Sequence, residues 1–185
     1  METRLDLEDI LSGLQQLADE IERRGLSDVT IRIVGGAALR IAYFDRATTL
    51  DIDAEIRPMD EVQPLITQIA EGRGWPTNWL NDGVKRAGFM PVWGQQAEWT
   101  PVIRNDAVSI DVASIEVLLA MKLNAHAGRA GRDGQDIVRI LALTDIRTVE
   151  EAEKVLERYF PGDGISVRTA EFLEGVFRKG LPNLS

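Results

Sequence analysis

The stretch VGGAALRIAYFDRATTLDIDAEI, Val34 to Ile56, decides how this chain is read. Two glycines close an apolar run, a helix-like segment follows, and Asp51 and Asp53 then flank Ile52. Side chains on a strand alternate faces. In LDIDAEI the acids Asp51, Asp53 and Glu55 therefore share one face, and Ile52, Ala54 and Ile56 share the other. The apolar face calls for helices and the acidic face is expected to be open. A half-exposed strand with solvated acids is the plain explanation of such a pattern. Against it, neighbouring carboxylates repel and are eased by a cation between them. A later strand, SIDVA, also sets Asp111 between Ile110 and Val112 as a third carboxylate. Three acids on adjacent strands suit oxygen-ligated Mg²⁺ better than zinc. Gly35-Gly36 supplies the complement, because glycine lets backbone N–H groups approach an anion and the helix after it turns its positive end the same way.

Outward from that stretch the periodicities are readable. Leu7, Ile10, Leu11, Leu14, Leu17, Ala18 and Ile21 recur at helical spacing, which predicts a helix over Asp6 to Arg24. Val29 to Val34 alternates and is β-branched, a strand. A short helix is expected over Ala37 to Tyr43, a second strand over Leu50 to Ile56, and a helix over Met59 to Glu71. Gly74 to Gly94, rich in glycine, proline and tryptophan, reads as a long loop with room for one short helix. Trp99 to Arg104 and Ala107 to Val112 form a hairpin around Asn105-Asp106. Ser114 caps a helix running to about Ala127. Three more helices follow: Gln135 to Leu143, Val149 to Tyr159 and Val167 to Lys179. The fold class is α/β or α+β: a small mixed, twisted sheet carrying the acids with helices packed on it. Met1 to Ala113 would form the core, and Ser114 to Ser185 a helical part closing its cleft.

The 185 residues are 44% apolar and 28% charged, ordinary globular material. Cysteine is absent, which excludes disulfides and cysteine-ligated zinc. A net charge of -9 disfavours broad, non-specific duplex binding. Neither an apolar leader nor a membrane span is visible, so the expected location is cytoplasmic. The one histidine, His126, lies in a helix and is expected to be a packing or surface residue. Lys122, amid Leu118, Leu119, Met121 and Leu123, reads equally as a ligand and as a snorkelling surface lysine. Asp133 and Asp136 read equally as site residues and as charges on the first turn of a helix. Arg129 and Arg132 suit a solvated turn or an anion-binding loop. Trp75, Trp79, Trp93 and Trp99 suit packing more readily than base stacking.

Gly35-Gly36, then Asp51-x-Asp53, then Asp111 on a later strand resembles the nucleotidyltransferase superfamily of the DNA polymerase β type. More narrowly, three segments are similar to the AbiEii-like bacterial nucleotidyltransferases, which include toxins of toxin–antitoxin and phage-defence systems. They are RATTLDID (Arg46 to Asp53), WLND (Trp79 to Asp82), and LLAMKLNA (Leu118 to Ala125) with RDGQDI (Arg132 to Ile137). The resemblance spans Val29 to Leu143. It implies Mg²⁺-dependent transfer of a nucleoside monophosphate from an NTP to an acceptor hydroxyl, on a tRNA 3′ end or a protein. Asp51, Asp53 and Asp111 would hold two Mg²⁺ ions, with Mn²⁺ as a substitute, and Asp111 would help deprotonate the acceptor. Gly35, Gly36, Arg46, Thr48 and Lys122 would contact the nucleotide, and Asp136 would face the cleft. A cognate antitoxin protein is the implied partner. Ala37 departs from the pattern, standing where many members carry a phosphate-binding serine. A catalytically silent nucleotide- or protein-binding module on the same fold is the alternative.

Overall fold

A computed structural model of the chain describes residues 4–44, 49–83, 98–126 and 133–183. Their order is α1 (Leu7–Arg23), β1 (Val29–Ile33), α2 (Gly35–Ala42), β2 (Ile52–Arg57), α3 (Met59–Arg73), β3 (Leu80–Asn81), β4 (Trp99–Arg104) and β5 (Val108–Ala113). Four helices follow: α4 (Ile115–His126), α5 (Gly134–Ala142), α6 (Val149–Tyr159) and α7 (Val167–Lys179). The protein is a mixed α+β fold. The described residues fall into two compact units. One holds the residues through Gly83 with Trp99–Ala113, and the other holds Glu98 and the residues from Ser114 on.

In the first unit the sheet runs β3-β2-β1-β5-β4. β1 is central, antiparallel to β2 and parallel to β5, while β4 and β5 form the expected hairpin. Ile31 and Ile33, with Ile52, Ala54 and Ile56 and with Ile110 and Val112, are all buried on the apolar face. α1 and α3 pack on each other and on sheet strands. Their buried stripes, such as Leu14, Leu17 and Ile21 on α1 and Val62, Ile66 and Ile69 on α3, complete this core. α1 starts where its chemistry predicts: Asp6 caps it and exchanges side-chain bonds with Asp9 in a capping box.

Two element starts differ from the sequence reading by two residues. α2 begins at Gly35 itself and not after the glycines, and Gly35 takes φ +67°, a conformation open to a residue without Cβ. β2 begins at Ile52, because Thr49 is engaged elsewhere, pairing through both backbone bonds with Leu5. The tryptophan-rich segment also contains an element the sequence reading left out. β3 pairs in parallel with β2, Ile52 against Leu80 and Asp53 against Asn81.

Trp79 is fully buried, donates through Nε1 to the Ile66 carbonyl, and meets Trp75 edge-on at 5.2 Å. Burying about 200 Å² of such a ring at about 25 cal/mol per Å² is worth roughly 5 kcal/mol. That assigns Trp79 to the core and not to a base-stacking platform.

The second unit is helical. α4 packs with α5 and α6, and α6 with α7. α6 opens on a Thr148–Glu151 capping box, and Ser166 caps α7 through the Thr169 N–H. No helix among the described residues is long and apolar enough to cross a membrane.

Candidate functional site

The polar face of the sheet gathers most of the acids singled out above. Arg32 on β1 is in register with Glu55 on β2 and with Asp111 on β5. Directly paired residues point to the same face, so Glu55, Arg32 and Asp111 form one row across three strands. Asp53 lies one same-face step further toward the start of β2, its carbonyl accepting from the Val34 N–H at 2.9 Å. Asp51 lies one step beyond that. Antiparallel pairing of β1 with β2 thus brings the head of β2 beside the end of β1, where α2 begins.

The contact at that junction is close. A Cβ added to Gly35 would stand 3.3 Å from Asp53 Oδ2. Asp53 and Asp51 are half-buried, and the Asp51 carboxylate accepts from the Asn81 amide at 3.2 Å. The Thr49 hydroxyl bonds the Asp51 carbonyl at 2.9 Å, and the Ile52 N–H bonds the Trp79 carbonyl at 2.7 Å. The backbone under both acids is therefore fixed from two sides.

Asp111 is 5% exposed and both its oxygens are occupied: Oδ1 accepts from Arg104 at 3.0 Å and Oδ2 from Ser109 at 2.7 Å. Glu55 is buried between Arg57, a short contact, and Arg32 at 3.6 Å, and the Arg32 guanidinium lies 5.1 Å from the Trp99 ring centroid. Asp111 and Glu55 are thus each engaged by their own cations, in register across β1. Among the described residues no group of three or more His, Asp or Glu side chains is gathered closely enough to hold a metal ion.

Arg40, which the sequence reading passed over, is notable for the opposite reason. Its Nε and Nη1 are buried and have no hydrogen-bond partner among the described residues. A guanidinium held this way costs free energy until an acceptor or anion reaches it. Arg40 follows Gly36 by one helical turn on the same face of α2. A cationic residue four places after a glycine was visible in the sequence, but its lack of a partner was not.

In the second unit, Lys122 on α4 pairs with Asp133 at 2.6 Å and Asp136 at 3.0 Å, all three largely buried. Lys122 is therefore neither a snorkelling surface lysine nor a lone cation. Asp133 is the residue before α5 but makes no side-chain cap bond. His126 is 5% exposed, as a packing residue, and its Nδ1 lies 3.1 Å from Thr169 Oγ1. Burial and, after it, the Arg168 charge lower its pKa, partly offset by Asp133, so the imidazole favours its neutral form. Arg46, Thr48, Trp93, Arg129 and Arg132 lie outside the described residues.

Comparison of the chain with protein-family models, with curated proteins and with solved structures returned no match.

Proposed function

We propose that the first unit is a nucleotidyltransferase centre that moves a nucleoside monophosphate from an NTP to an acceptor hydroxyl, releasing pyrophosphate. The observation that carries this is the approach of Gly35, at the head of α2, to the Asp53 carboxylate, with Asp51 on the same strand face. The first turn of a helix offers N–H donors and a partial positive charge to an anion, and two carboxylates offer hard oxygens to a cation. Side by side they are the two halves of a receptor for a metal-bound triphosphate.

The donor set fits Mg²⁺, which commonly takes one or two carboxylates and completes its shell with water and substrate phosphates. Asp51 and Asp53 would hold it, and when bound it would offset charge on the triphosphate and polarise the acceptor oxygen. Gly35 would let phosphate oxygens approach the backbone. Ala37 adds no hydroxyl, so backbone N–H groups would carry that contact. Arg40 would offer Nε and Nη1, which among the described residues have no hydrogen-bond partner. Asn81 would keep the Asp51 carboxylate oriented. Asp111 would act on the acceptor proton only after release from Arg104 and Ser109. A tRNA 3′ end or a protein hydroxyl as acceptor, and an antitoxin as partner, belong to the same proposal and rest on the family resemblance.

Engagement of Asp111 by Arg104 favours one second reading, a module that binds nucleotide without turnover. The test is incubation with each NTP labelled at the α-phosphate, Mg²⁺, and total bacterial RNA and protein. Label should appear on one macromolecular species and fall at least about a hundredfold with Asp51→Asn or Asp53→Asn. Mg²⁺-dependent nucleotide binding without any label would establish the silent module instead. Absence of both would overturn the assignment of the site.

A further inference from the structure

The helical unit contains a cavity of about 640 Å³, walled by the end of α4, the first half of α5 and the first half of α7. This is within the size range of small-molecule sites. Its wall is mostly apolar and includes Val138, with Phe172 and His126 as a tilted ring pair whose centroids are 4.7 Å apart. The pair is rigidly seated. His126 is held at Nδ1 by the Thr169 hydroxyl, and Thr169 is itself buried and bonded to Ser166, which caps α7. Phe172 also packs close to the α5 backbone, since a Cβ on Gly134 would come within 3.3 Å of its ring.

The polar lining has one sign. Arg139, Arg168 and the Gln135 amide contribute, and no carboxylate lines the cavity among the described residues. The nearby Asp133 and Asp136 are engaged by Lys122. Buried His126, kept toward its neutral form, offers a flat face and not a competing charge.

We propose that this cavity binds a small organic anion: a flat aromatic or heteroaromatic body lying against Phe172, His126 and Val138, with its carboxylate or phosphate group met by Arg139 and Arg168. The site stands apart from the transfer reaction proposed above and does not depend on it.

His126 is the only histidine, so its imidazole NMR signals report on this wall without ambiguity. The full chain would be titrated separately with benzoate, adenosine monophosphate and inorganic phosphate while those signals are followed. A saturable shift with benzoate or with the nucleotide, half-complete at or below about 1 mM, is expected. Benzoate alone would assign a carboxylate ligand and the nucleotide alone a phosphate monoester. Inorganic phosphate should bind at least about tenfold more weakly than the better organic anion, since it leaves the rings uncovered. Arg168→Gln, a change at an exposed position, should weaken binding about tenfold, and Arg139→Lys should weaken it less. No saturable shift with either organic anion would overturn the proposal. So would equal binding of inorganic phosphate, or binding unchanged in Arg168→Gln.

Discussion

At the head of β2, Asp51 and Asp53 sit half-buried, and the bond that holds the Asp51 carboxylate comes from a neutral amide. At the head of α5, Asp133 and Asp136 are buried against the ammonium of Lys122. Both are pairs of acids close in sequence. The second pair has its charge answered on the spot, as buried acids must for the fold to tolerate them. In the first, Asp51 and Asp53 share one strand face, both half-buried, and Asp51 is held by a neutral amide. Degree of burial separates the two pairs, where residue type and spacing do not.

The comparison breaks most visibly if the second pair is removed. Asp133→Ala with Asp136→Ala leaves Lys122 buried without either partner and should lower unfolding free energy by about 3–5 kcal/mol. Denaturant unfolding would measure it, and a loss below about 1 kcal/mol would mean the cluster is no more than a surface contact. The junction beside the first pair comes next. Gly35→Ala must accept φ +67° and a 3.3 Å approach to Asp53 Oδ2, and should cost about 1–2 kcal/mol. A thermal melt at unchanged stability would show that α2 can start elsewhere. The smallest expected effect is the sharpest discriminator. Asp51→Asn should change stability by less than about 0.5 kcal/mol, because the amide keeps the shape of a half-buried carboxylate. A large destabilisation in the same unfolding assay would place Asp51 among the structural acids.

Local chemistry explains what could be read in advance. The Asp6–Asp9 and Thr148–Glu151 boxes and the Ser166 cap fix helix starts within a few neighbouring residues, so α1, α6 and α7 lie where their sequences put them. The shared face of Asp51, Asp53 and Glu55 follows from strand alternation in the same way. What could not be read depends on partners distant in sequence. That Asp111 is engaged by Arg104 and stands in register with Arg32 and Glu55 depends on strand pairing that the SIDVA segment alone does not show. Lys122 was undecided because its partners lie on another helix. The unanswered nitrogens of Arg40 and the one-signed cavity around His126 are properties of enclosure, which no window of sequence encodes.

The pairing of Leu5 with Thr49 gives the beginning of this chain a role out of proportion to its size. Leu5 is completely buried and exchanges two backbone bonds with Thr49, at 2.8 and 3.1 Å, and the Thr49 hydroxyl in turn grips the carbonyl of Asp51. A residue just ahead of the first helix is thus a clasp on the entrance to the acidic strand. A change at Leu5 would act on the candidate site by loosening that clasp, although Leu5 carries none of its chemistry.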